Sequence, residues 1–349
     1  MKNIQIDNYL INETSPVFII AELSANHNGS IENAIDTIRA AKRAGADAIK
    51  LQTYTADSLT LDAKTDDFMI KQGTIWDGRY LHDLYKEAYT PWEWHQELFK
   101  VAFDEGLICF SSPFDKTAVD FLESLNVPAY KVASLEITDI PLIEYIAKKG
   151  KPVIISTGIS EAIDIELAIE ACKKQGNEQI ILLKCTTSYP APITEANLIM
   201  IKDMKERFSV ITGISDHTLG ITSPVISVVL GAKIIEKHFI IDRSIGGPDA
   251  SFSLNEKEFT EMVKAVREAE LAIGEIDYTL TSKQVKGREF SRSLYVSQDA
   301  EHGDNITENN IKSVRPGFGL HPKFYEEVIG KKFSQKVHKG QRLTFDLIE

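Results

Sequence analysis

Several short apolar runs in this chain end on a residue that can hold, give or take a proton. Lys50, Lys131 and Lys184 lie in such runs. A lysine inside a buried strand is costly unless it faces an opening or meets an anion. Lys50 beside Gln52 and Lys131 beside Ser134 suit a phosphate or carboxylate, to which an ammonium is a point charge; snorkelling or an internal ion pair is the bland alternative. Ser111, Ser112, Ser134, Ser156, Thr157 and Ser215 end their runs with small hydroxyls. One such residue means nothing, but several converging on one opening imply an oxygen-rich anion. His217 sits in Ser215-Asp216-His217-Thr218, and His238 ends Glu236-Lys237-His238. Imidazoles from neighbouring strands, about 4.8 Å apart, can meet on one ion; alternatively one of them is a hydrogen-bonded structural histidine. Two histidines without a nearby cysteine argue against a closed zinc site and for an open site suited to Mn²⁺ or Mg²⁺. Glu22, Glu136 and Glu236 are run-end carboxylates, each a base, a metal partner or an orienter of a lysine. Asp249 lies in the glycine-rich turn Gly246-Gly247-Pro248-Asp249-Ala250-Ser251, a weak signal alone.

The runs themselves are Val17–Glu22, Ala48–Gln52, Leu107–Ser112, Tyr130–Ser134, Val153–Thr157, Ile180–Thr186, Val210–Ser215 and Ile234–His238. Continuous apolar runs of this length read as strands buried on both faces, the parallel-sheet signature. Helical stripes are expected at 33–44, 91–105, 117–125, 141–149, 163–175, 197–208, 223–230 and 256–273. The fold class expected is therefore α/β, a (β/α)8 TIM barrel whose strand C-termini share one mouth. Residues 1–16 read as a polar lead-in, a candidate hairpin plug for the barrel bottom. The interval from Thr53 to Glu105 is long and holds all three tryptophans, Trp76, Trp92 and Trp94. It reads either as a lid or sugar-stacking wall, or as a loop packed by its own aromatics. The expected division is a barrel over 1–280, a linker over 281–290 and a small β-rich domain over 291–349, too small to be strongly stable alone.

The 349 residues are 43% hydrophobic and carry a formal net charge of −12, which speaks against a nucleic-acid partner. Three cysteines give no disulfide framework and fit a reducing cytoplasm. No apolar stretch is long enough to span a bilayer, so no membrane partner is expected.

Together these residues resemble the sialic acid synthase family, which makes nine-carbon acidic sugars from phosphoenolpyruvate. The matching segments are Ala21–Gly29, Lys50–Thr53, Pro128–Ser134, Ser156–Gly158, Cys185–Pro190, Gly213–Thr218, Glu236–Phe239 and Gly247–Asp249. Val314-Arg315-Pro316-Gly317-Phe318-Gly319 is similar to part of the family's antifreeze-like (SAF) domain. The resemblance implies that Lys50, Lys131, Ser112, Ser134, Ser156 and Ser215 hold phosphoenolpyruvate, with Gln52, Glu136, Thr187, Tyr189 and Glu236 also along the substrates. It implies that Glu22, Lys50, Lys131, His238 and Asp249 are catalytic. It implies a divalent ion on His217 and His238, Mn²⁺ first, with Mg²⁺ or Co²⁺ as alternatives. It also implies a domain-swapped homodimer in which Arg315 reaches the partner's barrel and touches the sugar's acyl group. Three positions depart from the usual family pattern: Thr187 for Asn, Ser112 for Thr and Ala133 for Gly.

The segments Trp76–Leu81 and Gly247–Ser253 are most similar to the pseudaminic acid synthase branch, whose amino-sugar aldehyde is 2,4-diacetamido-2,4,6-trideoxy-altrose. N-acetylneuraminate or legionaminate synthesis from another amino sugar is the alternative within the family. The implied reaction is an aldol-like condensation with metal-polarised aldehyde, water addition helped by Glu22, and loss of phosphate by C–O cleavage. Two readings from other classes compete. A Schiff-base aldolase would use Lys131 or Lys184 as nucleophile but needs neither paired histidines nor a hydroxyl-rich mouth. A carbohydrate- or ice-binding tail on an inert barrel would want an uncharged face, against Arg315, Lys331, Lys332, Lys336 and Lys339.

Overall fold

The protein is described here by a computed structural model covering residues 2–349. The chain forms two compact units that divide after Gly274. That glycine has φ +56° and caps the last barrel helix. Within the segment expected to be a linker, Ser282–Gly287 forms a short helix whose N-cap Thr281 accepts from the Gln284 amide.

The first unit begins with an antiparallel hairpin, β1 (Ile4–Ile6) and β2 (Tyr9–Ile11). Eight parallel strands follow: β3 (Phe18–Glu22), β4 (Ala48–Thr53), β5 (Ile108–Pro113), β6 (Tyr130–Val132), β7 (Val153–Ser156), β8 (Ile180–Cys185), β9 (Ile211–Asp216) and β10 (Ile234–His238). Each pairs with the next, and β10 pairs back onto β3, so the sheet closes into a TIM barrel. Every strand is followed by a helix, and the eight expected helical stripes all lie on helices, shifted by a few residues at their ends.

Side-chain parity explains why the strands are apolar throughout. Phe18, Ile20, Ala48, Phe110, Ile154 and Leu183 pack in one cluster that also holds Ile4, Ile6 and Ile11 of the hairpin. This cluster fills the barrel interior away from the mouth, and the hairpin supplies its floor. Residues of the opposite parity, such as Ile19, Ile49 and Ile235, pack against the helices. Each large apolar side chain so buried is worth about 1.5–3 kcal/mol. The helix Ile31–Arg43 shows the local logic. Ser30 caps it by accepting from the Asn33 amide, Ala34, Ile38 and Ala41 face the core, and Gly45 turns out of it at φ +90°.

The second unit is built on β11 (Ser293–Val296) and β12 (Ile311–Val314), an antiparallel pair. Its own core gathers Leu294, Val296, Ile306, Ile311, Val328, Phe333, Val337 and Leu343. Arg315 follows β12 and is exposed.

Candidate active site

The strand register lifts one ring of polar residues above the apolar filling. Glu22 pairs in register with Lys50 and with His238, Glu236 with Ser215, Gln52 with Ser112, and Cys185 with Ser215. Lys50 Nζ lies 2.8 Å from Glu22 Oε2 and 3.3 Å from Glu236 Oε1, and Lys131 Nζ lies 3.8 Å from the same Glu236 oxygen. β4, β6 and β10 are not neighbours, so these contacts cross the barrel interior. Ser215 Oγ donates to Glu236 Oε1 at 3.0 Å, Gln52 Nε2 to Glu22 Oε1 at 3.0 Å, and Lys50 Nζ approaches Ser112 Oγ at 3.4 Å.

The two carboxylates have been pushed apart in acidity. Burial raises the Glu22 carboxyl to about 7, with Lys50 pulling the other way. Burial also acts to raise Glu236, but Lys131 and Lys50 together outweigh it and hold Glu236 below its usual value. Burial lowers the Lys131 ammonium, while Lys50, although buried, is held up by Glu22 and Glu236. Glu236 is thus the fixed counter-charge and Glu22 the group poised to exchange a proton near neutrality.

A second set of groups lines the same mouth. Ser156 Oγ, Thr187 Oγ1, Glu136 Oε2 and Glu236 Oε2 are buried with no hydrogen-bond partner. Unpaired buried polar atoms cost free energy, and their concentration at strand ends marks a place for a polar ligand. Burial raises Glu136 to about 7, with Lys131 opposing. Ser134 Oγ accepts from the Gly158 amide at 3.1 Å. A Cβ on Gly158 would stand 2.0 Å from Thr187 Oγ1 and 2.7 Å from Ser134 Oγ, so only glycine lets these hydroxyls converge.

The imidazoles of His217 and His238 are neighbours, with ring centroids 5.2 Å apart. His217 Nδ1 meets the Thr186 carbonyl oxygen at 2.9 Å, so in the neutral ring Nε2 is the nitrogen open to an ion; burial acts to lower this imidazole, but Cys185 and the Thr186 carbonyl outweigh it and hold it above its usual value. His238 Nδ1 is buried without a hydrogen-bond partner, 3.9 Å from Asp249 Oδ2. Burial, then the neighbouring His217, keeps His238 well below its usual range, in the neutral form that ligates. Two imidazoles with an orphaned nitrogen and a nearby carboxylate fit a divalent ion in an open site. Asp249 is itself fixed by Ser24 Oγ at 2.5 Å, and burial raises its carboxyl. The cluster Asp62, His82 and Asp83 also brings three possible ligand atoms within 4.8 Å, in the β4–β5 connection. Lys64 Nζ lies 2.6 Å from Asp83 and 3.5 Å from Asp62, which already supplies those carboxylates with a cation.

The three tryptophans divide between the two readings of the long connection. Trp76 reaches the mouth: its ring lies 5.5 Å from Tyr189 and 6.4 Å from Phe252, and its Nε1 donates to Pro248 O at 3.3 Å. Tyr189 in turn lies 4.3 Å from His217. Trp92 stacks on Phe121 at 4.8 Å and donates from Nε1 to the Tyr54 carbonyl oxygen at 3.1 Å, and Trp94 packs edge-on to His27 at 5.5 Å.

Of the residues singled out in the sequence, Glu22, Lys50, Gln52, Ser112, Lys131, Ser215 and Glu236 form one bonded network. Ser134, Glu136, Ser156 and Thr187 line the same opening, as do Tyr189, His217, His238 and Asp249. Arg315 belongs to the second unit. Lys184 has the parity of Leu182, which faces the helices, and donates to Cys185 O at 2.5 Å. The expectation that no cysteine stands near the histidines is corrected: Cys185 Sγ lies 3.8 Å from His217 Nδ1. It has the same parity as Leu183, a signal present in the run. Burial raises that thiol, yet His217 and Ser134 bring it down to about 7. Because Cys185 faces Nδ1, the protonated nitrogen, it leaves the open-site reading intact.

Residues 37–278 match the NeuB family, and residues 291–349 match the SAF domain. The chain is 51% identical to a pseudaminic acid synthase of Campylobacter jejuni over 97% of this chain and 98% of that one. It is 47% identical to a pseudaminic acid synthase of Helicobacter pylori over 96% and 98% of the two chains. Among solved structures, an N-acetylneuraminic acid synthetase of Leptospira borgpetersenii, in complex with citrate, superposes with a TM-score of 0.73 at 31% identity, covering 82% of this chain and 95% of that one. With a closed barrel whose mouth gathers two lysines, two imidazoles and a ring of hydroxyls, and with that likeness along nearly its whole length, the chain belongs to the NeuB family and carries a SAF domain.

Proposed function

We propose that this enzyme is a transferase that condenses phosphoenolpyruvate with 2,4-diacetamido-2,4,6-trideoxy-altrose and water, giving pseudaminic acid and phosphate by C–O cleavage. The observation that carries this reading is the pair of buried ammoniums, Lys50 and Lys131, bridged only by Glu236 and ringed by hydroxyls. A doubly anionic substrate finds two fixed positive charges there without reorganisation. The identity of the amino sugar rests on the likeness to the Campylobacter and Helicobacter relatives. N-acetylneuraminate or legionaminate synthesis is the alternative within the family.

His217 and His238 would hold a divalent ion, Mn²⁺ or else Mg²⁺ or Co²⁺, which would supply Lewis-acid polarisation of the aldehyde oxygen. The chain's own residues do the rest. Lys50, Lys131, Ser112, Ser134, Ser156 and Ser215 hold the phosphate and carboxylate, with Thr187 and Gln52 beside them. C3 of phosphoenolpyruvate attacks the aldehyde carbon, and positive character builds at C2. Glu22 takes a proton from the water that adds at C2, and the tetrahedral carbon then expels phosphate. Glu136 and Asp249 orient the sugar, and the Trp76–Tyr189 face covers it. In a domain-swapped homodimer, Arg315 of one subunit would touch the acyl group in the other.

A Schiff-base mechanism through Lys184 loses its footing because that ammonium is turned to the helix side. The test is incubation with phosphoenolpyruvate, Mn²⁺ and a panel of amino sugars, with inorganic phosphate as readout. Fastest release with the diacetamido-trideoxy-altrose supports the proposal; faster release with N-acetylmannosamine would replace it with neuraminate synthesis.

A further inference from the structure

The two histidines sit one residue past the last β9–β10 pair, with His238 still paired to Glu22 of β3. Pairing between β9 and β10 runs from Gly213–Ile234 to Asp216–Lys237 and goes no further. His217 and His238 are the next residue on each strand, so no backbone bond between these strands sets their separation. A side-chain bond between the two strand ends would fix that separation directly.

On the outward side of the same two strands, Lys237 and Asp216 form a buried ion pair, with Nζ 2.5 Å from Oδ2. Their side chains are 1% and 2% exposed, so the bond is shielded from water and salt. Lys237 Nζ also donates to the Thr218 carbonyl oxygen. The ammonium next to His238 therefore grips both residues that flank His217. The far side of the grip is closed as well. Asp216 Oδ1 accepts from the Thr218 amide at 3.0 Å and from Thr218 Oγ1 at 2.8 Å. Thr218 Oγ1 in turn lies 3.0 Å from Ser223 Oγ, at the start of the next helix.

Burying such a pair in place of apolar side chains of similar volume brings no stability on balance. What it does supply is a fixed distance between two strand ends. We propose that Lys237 and Asp216 are positioning residues that set the spacing of His217 and His238 for the metal ion. The inference rests on the reading of these histidines as the metal ligands.

The experiment measures Mn²⁺ binding to the full-length, metal-free protein by calorimetry and by the electron paramagnetic resonance signal of free Mn²⁺. Wild type and His217→Ala come first: binding by the wild type that is lost in His217→Ala upholds the ligand assignment, and equal binding by both removes it and the inference together. The double variant Asp216→Leu/Lys237→Met then replaces the ion pair with apolar groups and leaves no unpaired buried charge. The expected result is a folded protein, its melting temperature lowered somewhat because the Thr218 amide and carbonyl lose their partners, with Mn²⁺ affinity about 10- to 100-fold weaker, the usual cost of losing groups that orient metal ligands. Unchanged Mn²⁺ affinity in the folded double variant would overturn the proposal while leaving the metal assignment standing. Lys237→Arg is the second variant should the first not fold. It keeps the charge, but a planar guanidinium cannot occupy the ammonium's place between carboxylate and carbonyl. Weaker Mn²⁺ binding in Lys237→Arg supports the proposal, and wild-type affinity there contradicts it.

Discussion

Glu22 Oε2 lies 2.8 Å from Lys50 Nζ, and the two are paired in register on adjacent strands at the centre of the mouth. Burial nevertheless leaves this carboxyl titrating at about 7, because desolvation outweighs the lysine's attraction. A base with that acidity is half-ionised at neutral pH, the range in which proton transfer is most effective. Glu22→Gln should lower kcat by about 10²- to 10⁴-fold, the span typical of a lost general base. The KM for phosphoenolpyruvate should change far less, since Lys50 retains Glu236. In the wild type, kcat/KM should rise with pH through about 7, and the variant should lose that rise. Steady-state phosphate release across pH 5.5–8.5 as a rough window checks both.

Glu136 makes a stability claim. Its carboxyl is raised from 4.5 to about 7 by burial, against the pull of Lys131. The folded state therefore binds a proton more tightly than the unfolded chain, and stability from this group is present below the unfolded value and lost as pH rises through the folded one. The ionised form costs up to about 3 kcal/mol at higher pH. Glu136→Gln should flatten the fall in Tm between about pH 5 and pH 8, raising Tm most at the alkaline end. Thermal melts of both proteins at several pH values measure it.

Gly158 has no room for a methyl group. The Cβ of Gly158→Ala would meet Thr187 Oγ1 at 2.0 Å and Ser134 Oγ at 2.7 Å. Both hydroxyls must move, and each hydrogen bond to a charged ligand is worth about 1.5–3 kcal/mol. The KM for phosphoenolpyruvate should rise by about tenfold or more, with Tm changed little. Adding Thr187→Ala should recover part of the loss by removing the closer clash.

Trp76 and Trp92 should separate function from packing. Trp76→Ala strips the aromatic cover beside Tyr189 and should raise the KM for the sugar while sparing that for phosphoenolpyruvate. Trp92→Ala removes the stack on Phe121 and should lower stability by about 3–5 kcal/mol at most, with both KM values unchanged in the folded enzyme. Parallel kinetics and denaturant titrations of the two variants compare them.

The barrel was legible because its strands are buried on both faces and so carry unbroken apolar runs. Ile234–His238 coincides with β10 residue for residue. Candidate site residues such as Glu22, Gln52, Ser112, Ser134, Ser215 and His238 stood out in the sequence because each ends such a run. What the runs did not reveal is side-chain direction. Lys131 and Lys184 look alike in sequence, yet the parity of Leu182 and Leu183 turns Lys184 to the helices. The same alternation turns Cys185 inward, beside His217. Asp216 and Lys237 carried a usable signal, opposite charges each one residue before a histidine on neighbouring strands. Trp76, Trp92 and Trp94 could not be sorted in advance. Their long connection has no repeating pattern to set direction, and contacts distant in sequence, with Tyr189, Pro248, Phe121 and His27 among them, do so.

Cleavage of the C–O bond is decided by the fate of one oxygen. Phosphoenolpyruvate labelled with ¹⁸O at the atom bridging C2 and phosphorus should be turned over with Mn²⁺ and the diacetamido-trideoxy-altrose, and the phosphate followed by phosphorus NMR. Cleavage between C2 and the bridging oxygen should leave the label in inorganic phosphate. Unlabelled phosphate would mean that the phosphorus–oxygen bond breaks instead, and the lysine-held, water-adding mechanism assigned to this mouth would be wrong.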